Sequence, residues 1–251
     1  MINIEAAKEL FEQFLGHYNE SNVKIKLKHE HTLRVVDFCG AIAESLNLSS
    51  SDIELVKLIG LLHDMGRFEQ LKLYDTFKDF ESIDHAKLGI EILLKNDYLN
   101  QYITNPEEKE ILIQSILYHN KLRIPDEFNE RIKLFCKIIR DADKIDIIKM
   151  YFNQTLNIAT NAGVINKKVM FSLINHEQVN LSDIVSDIDL YVCEVGFVFD
   201  LNYEYTLNYF YQNHLIIDLI DKIMDANQHE QTNLLIIKDV VGSYLKLRLE
   251  E

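Results

Sequence analysis

A chain of 251 residues, 47% of them apolar, is long enough to bury a sizeable core, and eight Gly and two Pro favour long helices over many short strands. Its 26 Lys and Arg against 40 Asp and Glu leave a formal charge of −14, which argues against nucleic-acid polymers and anionic membranes as partners. An anionic small molecule would then have to be met by a local cation, whether Arg, Lys or metal.

Cys39, Cys136 and Cys193 are an odd, widely spaced set without a CxxC, so a reduced, cytoplasmic protein is expected. No apolar run of about 18 residues offers a membrane span.

The opening MINIEAAKELFEQF reads as an amphipathic helix carrying acids, not as a signal peptide. A second helix is expected over about 24–46. Ser51-Asp52-Ile53-Glu54 has capping-box spacing and Gly66 is placed as a C′ residue, which predicts one helix over 52–65. Residues 67–84 read as a loop, and 84–96 as a helix. Asn105-Pro106-Glu107-Glu108 supplies an N-cap, a proline at N1 and acids in the first turn, opening a helix to about 119. Pro125-Asp126 marks a loop before a long helix at 129–152. Beyond it, NAGVINKKVM reads as a loop leading into a short helix, and 203–226 and 231–249 show helical periodicity. VCEVGFVFD (192–200) fits either a strand or a buried helical turn. One all-α domain over 1–251 is the expectation.

Helical spacing directs several polar residues inward. Leu27, His31, Val35, Phe38 and Ile42 share one face, apolar apart from the histidine. His63 follows Val56 and Ile59, His85 heads Leu88, Gly89 and Ile92, and His119 follows Leu112 and Ile116. Ile132, Cys136, Ile139, Asp143, Ile147 and Met150 form a stripe whose one charge is Asp143, whereas Asp141 shares a face with Lys137 and Lys144 and reads as solvated or ion-paired. A single inward histidine is more often a hydrogen-bonded core residue than a ligand, and a single buried aspartate usually caps or pairs. Five such helices, with His63 and Asp64 adjacent, shift the balance to a metal site. Mixed imidazole and carboxylate donors suit Mn, Fe, Ni, Co or Zn, and Mg where carboxylate and water dominate. His17, His29, His176, His214 and His229 fall in polar or irregular settings and read as surface or structural residues.

His31 in HTLRVV, His63-Asp64 in LLHDMGR and Asp143 in RDADKID together resemble the HD superfamily of metal-dependent phosphohydrolases, over roughly residues 20–155. The resemblance implies an HD-type helical bundle, with residues 156–251 as additional C-terminal helices packed on it. It implies that His31, His63, Asp64 and Asp143 hold a divalent ion that activates water against a small phosphorylated substrate, most plausibly a nucleotide. His85 in DHAKLGIEIL and His119 in ILYHN look like the extra histidines of two-metal subgroups. Asn120 stands where some of those subgroups carry a further His, leaving a weaker second metal or a phosphate-holding role for the pair. Asp64 and Arg67 are the catalytic candidates. The Arg67 fork suits a phosphate, and equally it could pair with Glu69 or cap the helix end; Arg34 and Lys144 are weaker candidates for the same task. Two other outcomes are a mixed-valent di-iron oxygenase on the same ligands and a nucleotide-binding module without turnover.

Overall fold

The computed structural model describes residues 2–19, 21–153 and 156–250, and among them there are helices and no strand. Backbone contacts divide the chain into two compact units, 1–143 and 144–251. In the first unit run α1 (Ile4–Leu15), α2 (Val23–Ser45), α3 (Ser50–Leu62), α4 (Met65–Tyr74), α5 (His85–Leu94), the single turn α6 (Leu99–Tyr102) and α7 (Pro106–Tyr118). The boundary between units falls within α8 (Glu130–Met150).

Short polar side chains set the starts of these helices. Asn3, Asn22, Ser49, Asp84 and Asn105 each accept backbone N–H bonds from the first turn of the helix that follows. At α7 the expected N-cap, N1 proline and first-turn acids are all in place. At α3 the cap is Ser49, whose hydroxyl accepts from the Asp52 amide, two residues ahead of the expected box.

One expected helix is broken. Instead of running over 52–65, α3 stops at Leu62, and α4 starts at Met65 and runs on to Tyr74, into the stretch read as a loop. Gly66 is therefore not a left-handed C′ residue but lies in the first turn of α4. It is needed there for proximity: a Cβ at Gly66 would stand 2.0 Å from the His85 carbonyl oxygen and 2.7 Å from the Gly89 nitrogen. Two glycines thus let α4 and α5 cross backbone to backbone. His63 becomes the C-cap of α3 and Asp64 the N-cap residue of α4, with φ −105° and ψ 14°. That sparsely populated region is where active-site residues are often found.

Helix α2 packs on α3 and α4, α3 on α1 and α7, and α5 on α4 and α7. Val35, Cys39, Ile42, Leu55, Ile59, Leu62 and Phe68 are all fully buried between them.

The second unit holds α9 (Lys167–Ile174), α10 (Asp187–Val195), α11 (Glu204–Gln212), α12 (Leu215–Ala226) and α13 (Gln231–Glu250). VCEVGFVFD takes the helical option, as the end of α10 and a 3-10 turn. The periodic stretch 203–226 is two helices parted at Asn213-His214, where His214 adopts φ 52°. Buried Asp189 accepts from the Asn166 and Val185 amides and the Ser186 hydroxyl, tying the loops before α9 and α10 together. No helix among the described residues is long and apolar enough to cross a membrane.

Candidate metal centre

Six helices contribute to one buried polar cluster, all of whose residues belong to the first unit. His31 comes from the middle of α2, His63 and Asp64 from the α3–α4 junction, His85 from the first residue of α5, His119 from the C-cap of α7 and Asp143 from α8. His31 and His63 are fully buried and Asp64 nearly so; the Asp143 side chain keeps 17% of its exposure, so the cluster opens to solvent on that side.

Asp64 stands between two pairs of imidazoles. Its Oδ2 lies 3.5 Å from His31 Nε2 and 3.5 Å from His63 Nε2, and Asp143 Oδ1 closes that group at 3.2 and 3.8 Å from the same nitrogens. Its Oδ1 lies 3.3 Å from His85 Nε2 and 3.9 Å from His119 Nε2. Ligands bonded to one ion at about 2.0–2.2 Å sit roughly 3–3.5 Å from each other, so these separations suit shared cations with little adjustment.

The imidazole tautomers follow from their outer partners. His63 Nδ1 donates to the Gly60 carbonyl at 2.7 Å, His119 Nδ1 to the Ile116 carbonyl at 2.6 Å, and His85 Nδ1 to Asp79 Oδ2 at 2.7 Å. In the neutral rings each Nε2 is then a lone pair aimed into the cluster. Burial, together with neighbouring cationic groups, lowers His85 below the ordinary imidazole value and takes His119 down to about 3, so both rings are neutral near pH 7. Yet His85 Nε2 and His119 Nε2 face each other at 3.0 Å, and His63 Nε2 is buried without a hydrogen-bond partner. Lone pairs held at that separation repel unless a cation lies between them. The donor set therefore fits divalent metal on chemical as well as geometric grounds.

Burial pushes the carboxyls of Asp64 and Asp143 up, but nearby positive charge and donors outweigh it. The Lys28 ammonium holds Asp64 well below the usual carboxylate range, and hydrogen bonding from His31 does the same for Asp143. Both are ionised, as ligands must be.

Outside the cluster, Asp79 accepts from His85, Arg67, Gln70 and Asn120 at 2.7, 2.7, 2.9 and 3.2 Å. It orients His85 in the way that carboxylates behind metal-bound histidines do. Asp84 caps α5 and is bonded by Lys121 and Asn120. Arg67 does not pair with Glu69: its NH1 serves Asp79, Gln70 and the Phe77 carbonyl, while Nε faces Asp64 Oδ1 at 3.7 Å without a hydrogen bond. Glu69 instead meets Tyr18 and Lys72.

All six residues read from the sequence as ligands thus converge. Asp141 does not join them, and it is fully buried rather than solvated, because the buried face of α8 is broader than the stripe drawn through Asp143. Lys144, in the second unit, is bonded by Asp200. His17, His29, His176, His214 and His229 lie outside the cluster, the first two on the carbonyl of Phe14 and the carboxylate of Glu12. Two participants were not read from the sequence. Lys28 reaches Asp64 Oδ2 at 2.7 Å from one turn before His31, and its i−3 spacing was the available signal. Asp79 sits in an irregular segment, where periodicity carries no information.

Residues 29–148 match the family model described as HD domain. No curated protein and no solved structure matches the chain.

Proposed function

On the premise that the chain belongs to the HD-domain superfamily, whose members are generally metal-dependent hydrolases, we propose that it hydrolyses a phosphate ester or anhydride in a small molecule, a nucleotide being the favoured class. The observation that carries this reading is the shared carboxylate: each oxygen of Asp64 faces its own pair of imidazole lone pairs, and Asp143 completes one of the two sets. His31, His63, Asp64 and Asp143 would hold the first ion, and Asp64, His85 and His119 a second. A divalent ion there supplies a Lewis acid that polarises a phosphoryl oxygen and lowers the pKa of water.

The chain's own groups do the rest. His63, His85 and His119 keep their lone pairs inward because their Nδ1 protons are committed elsewhere. Arg67 brings fixed positive charge to one side of Asp64, where a phosphate would gather negative charge. The half-buried Phe77 ring lies 5.9 Å from that guanidinium and offers an apolar face beside the cations, which favours a substrate with a flat base.

A screen of nucleotides, dinucleoside polyphosphates and model esters with each of Mn, Mg, Ni, Co and Fe tests the reading. Asp64→Ala is expected to abolish metal-dependent release of phosphate while the far-ultraviolet circular dichroism stays native. Full activity in that variant would refute the assignment. The two imidazole pairs about one carboxylate also suit two irons, so an oxygenase is the second reading. Two irons per chain with oxygen uptake, and no phosphate release, would decide for it.

A further inference from the structure

We propose that Lys28 is a displaceable counter-ion, which neutralises Asp64 in the ion-free protein and turns to the phosphate of substrate or product when the centre is loaded. The inference rests on the phosphohydrolase reading above and adds a phosphate-binding residue to it.

Three observations carry it. First, Lys28 Nζ is 2.7 Å from Asp64 Oδ2, the same oxygen that faces His31 and His63. A dication shared by that oxygen and those nitrogens would stand close to the ammonium, and like charges at such range in a buried site repel strongly. Lys28 cannot keep this bond at full strength in the loaded state. Second, its side chain is only 11% exposed, so on leaving Oδ2 the ammonium needs another anion rather than bulk water. Third, the two cations beside Asp64 differ in freedom. Arg67 is fixed by Asp79, Gln70 and the Phe77 carbonyl, whereas the hydrogen bond described for the Lys28 ammonium is the one to Asp64. Its flexible stem can redirect three donors. The ammonium also lies 5.4 Å from the centre of the Phe77 ring, against which Arg67 packs as well. A phosphate entering between the two would meet a fixed fork on one side and a mobile ammonium on the other.

A purely structural ion pair and a displaceable one differ in sign. Mn2+ is titrated calorimetrically into metal-stripped wild type, Lys28→Met and Lys28→Gln, and inorganic phosphate is then titrated into each Mn-loaded protein. Loss of a competing charge should tighten Mn2+ binding in both variants by about tenfold, and loss of a charged donor should weaken phosphate binding by about tenfold. Lys28→Arg should keep phosphate affinity near wild type. Thermal melts give a second readout: each variant should melt lower than wild type when stripped, and gain more from Mn2+ than wild type does. Weaker Mn2+ binding with unchanged phosphate affinity would show a structural pair and overturn the inference alone. Failure of the wild type to take up any divalent ion would overturn the phosphohydrolase reading, and this inference with it.

Discussion

At the scale of single residues, His85 and His119 make the sharpest demand on their surroundings. Two neutral imidazoles 3.0 Å apart, nitrogen to nitrogen, stay in place only if each ring is held from behind. The Ile116 carbonyl holds His119 and Asp79 holds His85. Asp79→Asn, nearly isosteric but able to present an amide N–H to His85, should weaken the His85–His119 ion by about 10–100-fold. The ion at His31 and His63 should be spared. Mn2+ titration would show the second site weakened while the first keeps its affinity; an unchanged second site would remove Asp79 from that role. The clustered histidines themselves were legible, because a polar residue in an apolar helical stripe stands out. Lys28 and Asp79 were not. Lys28 was hidden because the true inward face of α2 runs through Ile25, Lys28, Thr32 and Val36, rotated from the stripe through Leu27 and Phe38. Asp79 is placed by a loop, whose path depends on tertiary contacts that local sequence does not encode.

At the scale of elements, the α3–α4 junction decides the site. Two helices meeting end to end expose the last turn of one and the first turn of the other, and His63 and Asp64 occupy those turns side by side. The close approach of α4 to α5 at Gly66 and Gly89 sets His85 against Asp64. Gly66→Ala should therefore force the two helices apart, costing about 1–3 kcal/mol or more as an overpacked contact against backbone, which cannot swing away. Thermal denaturation would register that loss, and Mn2+ titration should show the second ion weakened together with it. A melting temperature equal to wild type would mean that the crossing is looser than described. Helix existence was largely readable from caps and periodicity, as at Asn105-Pro106 and over α8. The misread was Gly66, because glycine after an apolar run signals a left-handed cap equally well as a close crossing, and only the partner helix tells which.

At the scale of the molecule, the metal-capable clusters among the described residues all lie in the first unit, and the family match at 29–148 covers every one of their residues. Candidate ligands up to 112 positions apart in the chain, from His31 to Asp143, meet because α2, α3 and α8 each bring one turn to the same place. The second unit has its own core, with Val192, Leu219, Ile223 and Ile237 fully buried, and its helices were only half readable since apolar and aromatic runs there fit more than one period. The most direct measurement is anomalous diffraction from a crystal grown with Zn2+. We expect a peak within about 2.0–2.2 Å of His31 Nε2, His63 Nε2 and one oxygen each of Asp64 and Asp143. Zinc bound elsewhere on the chain, with those four side chains untouched, would contradict it.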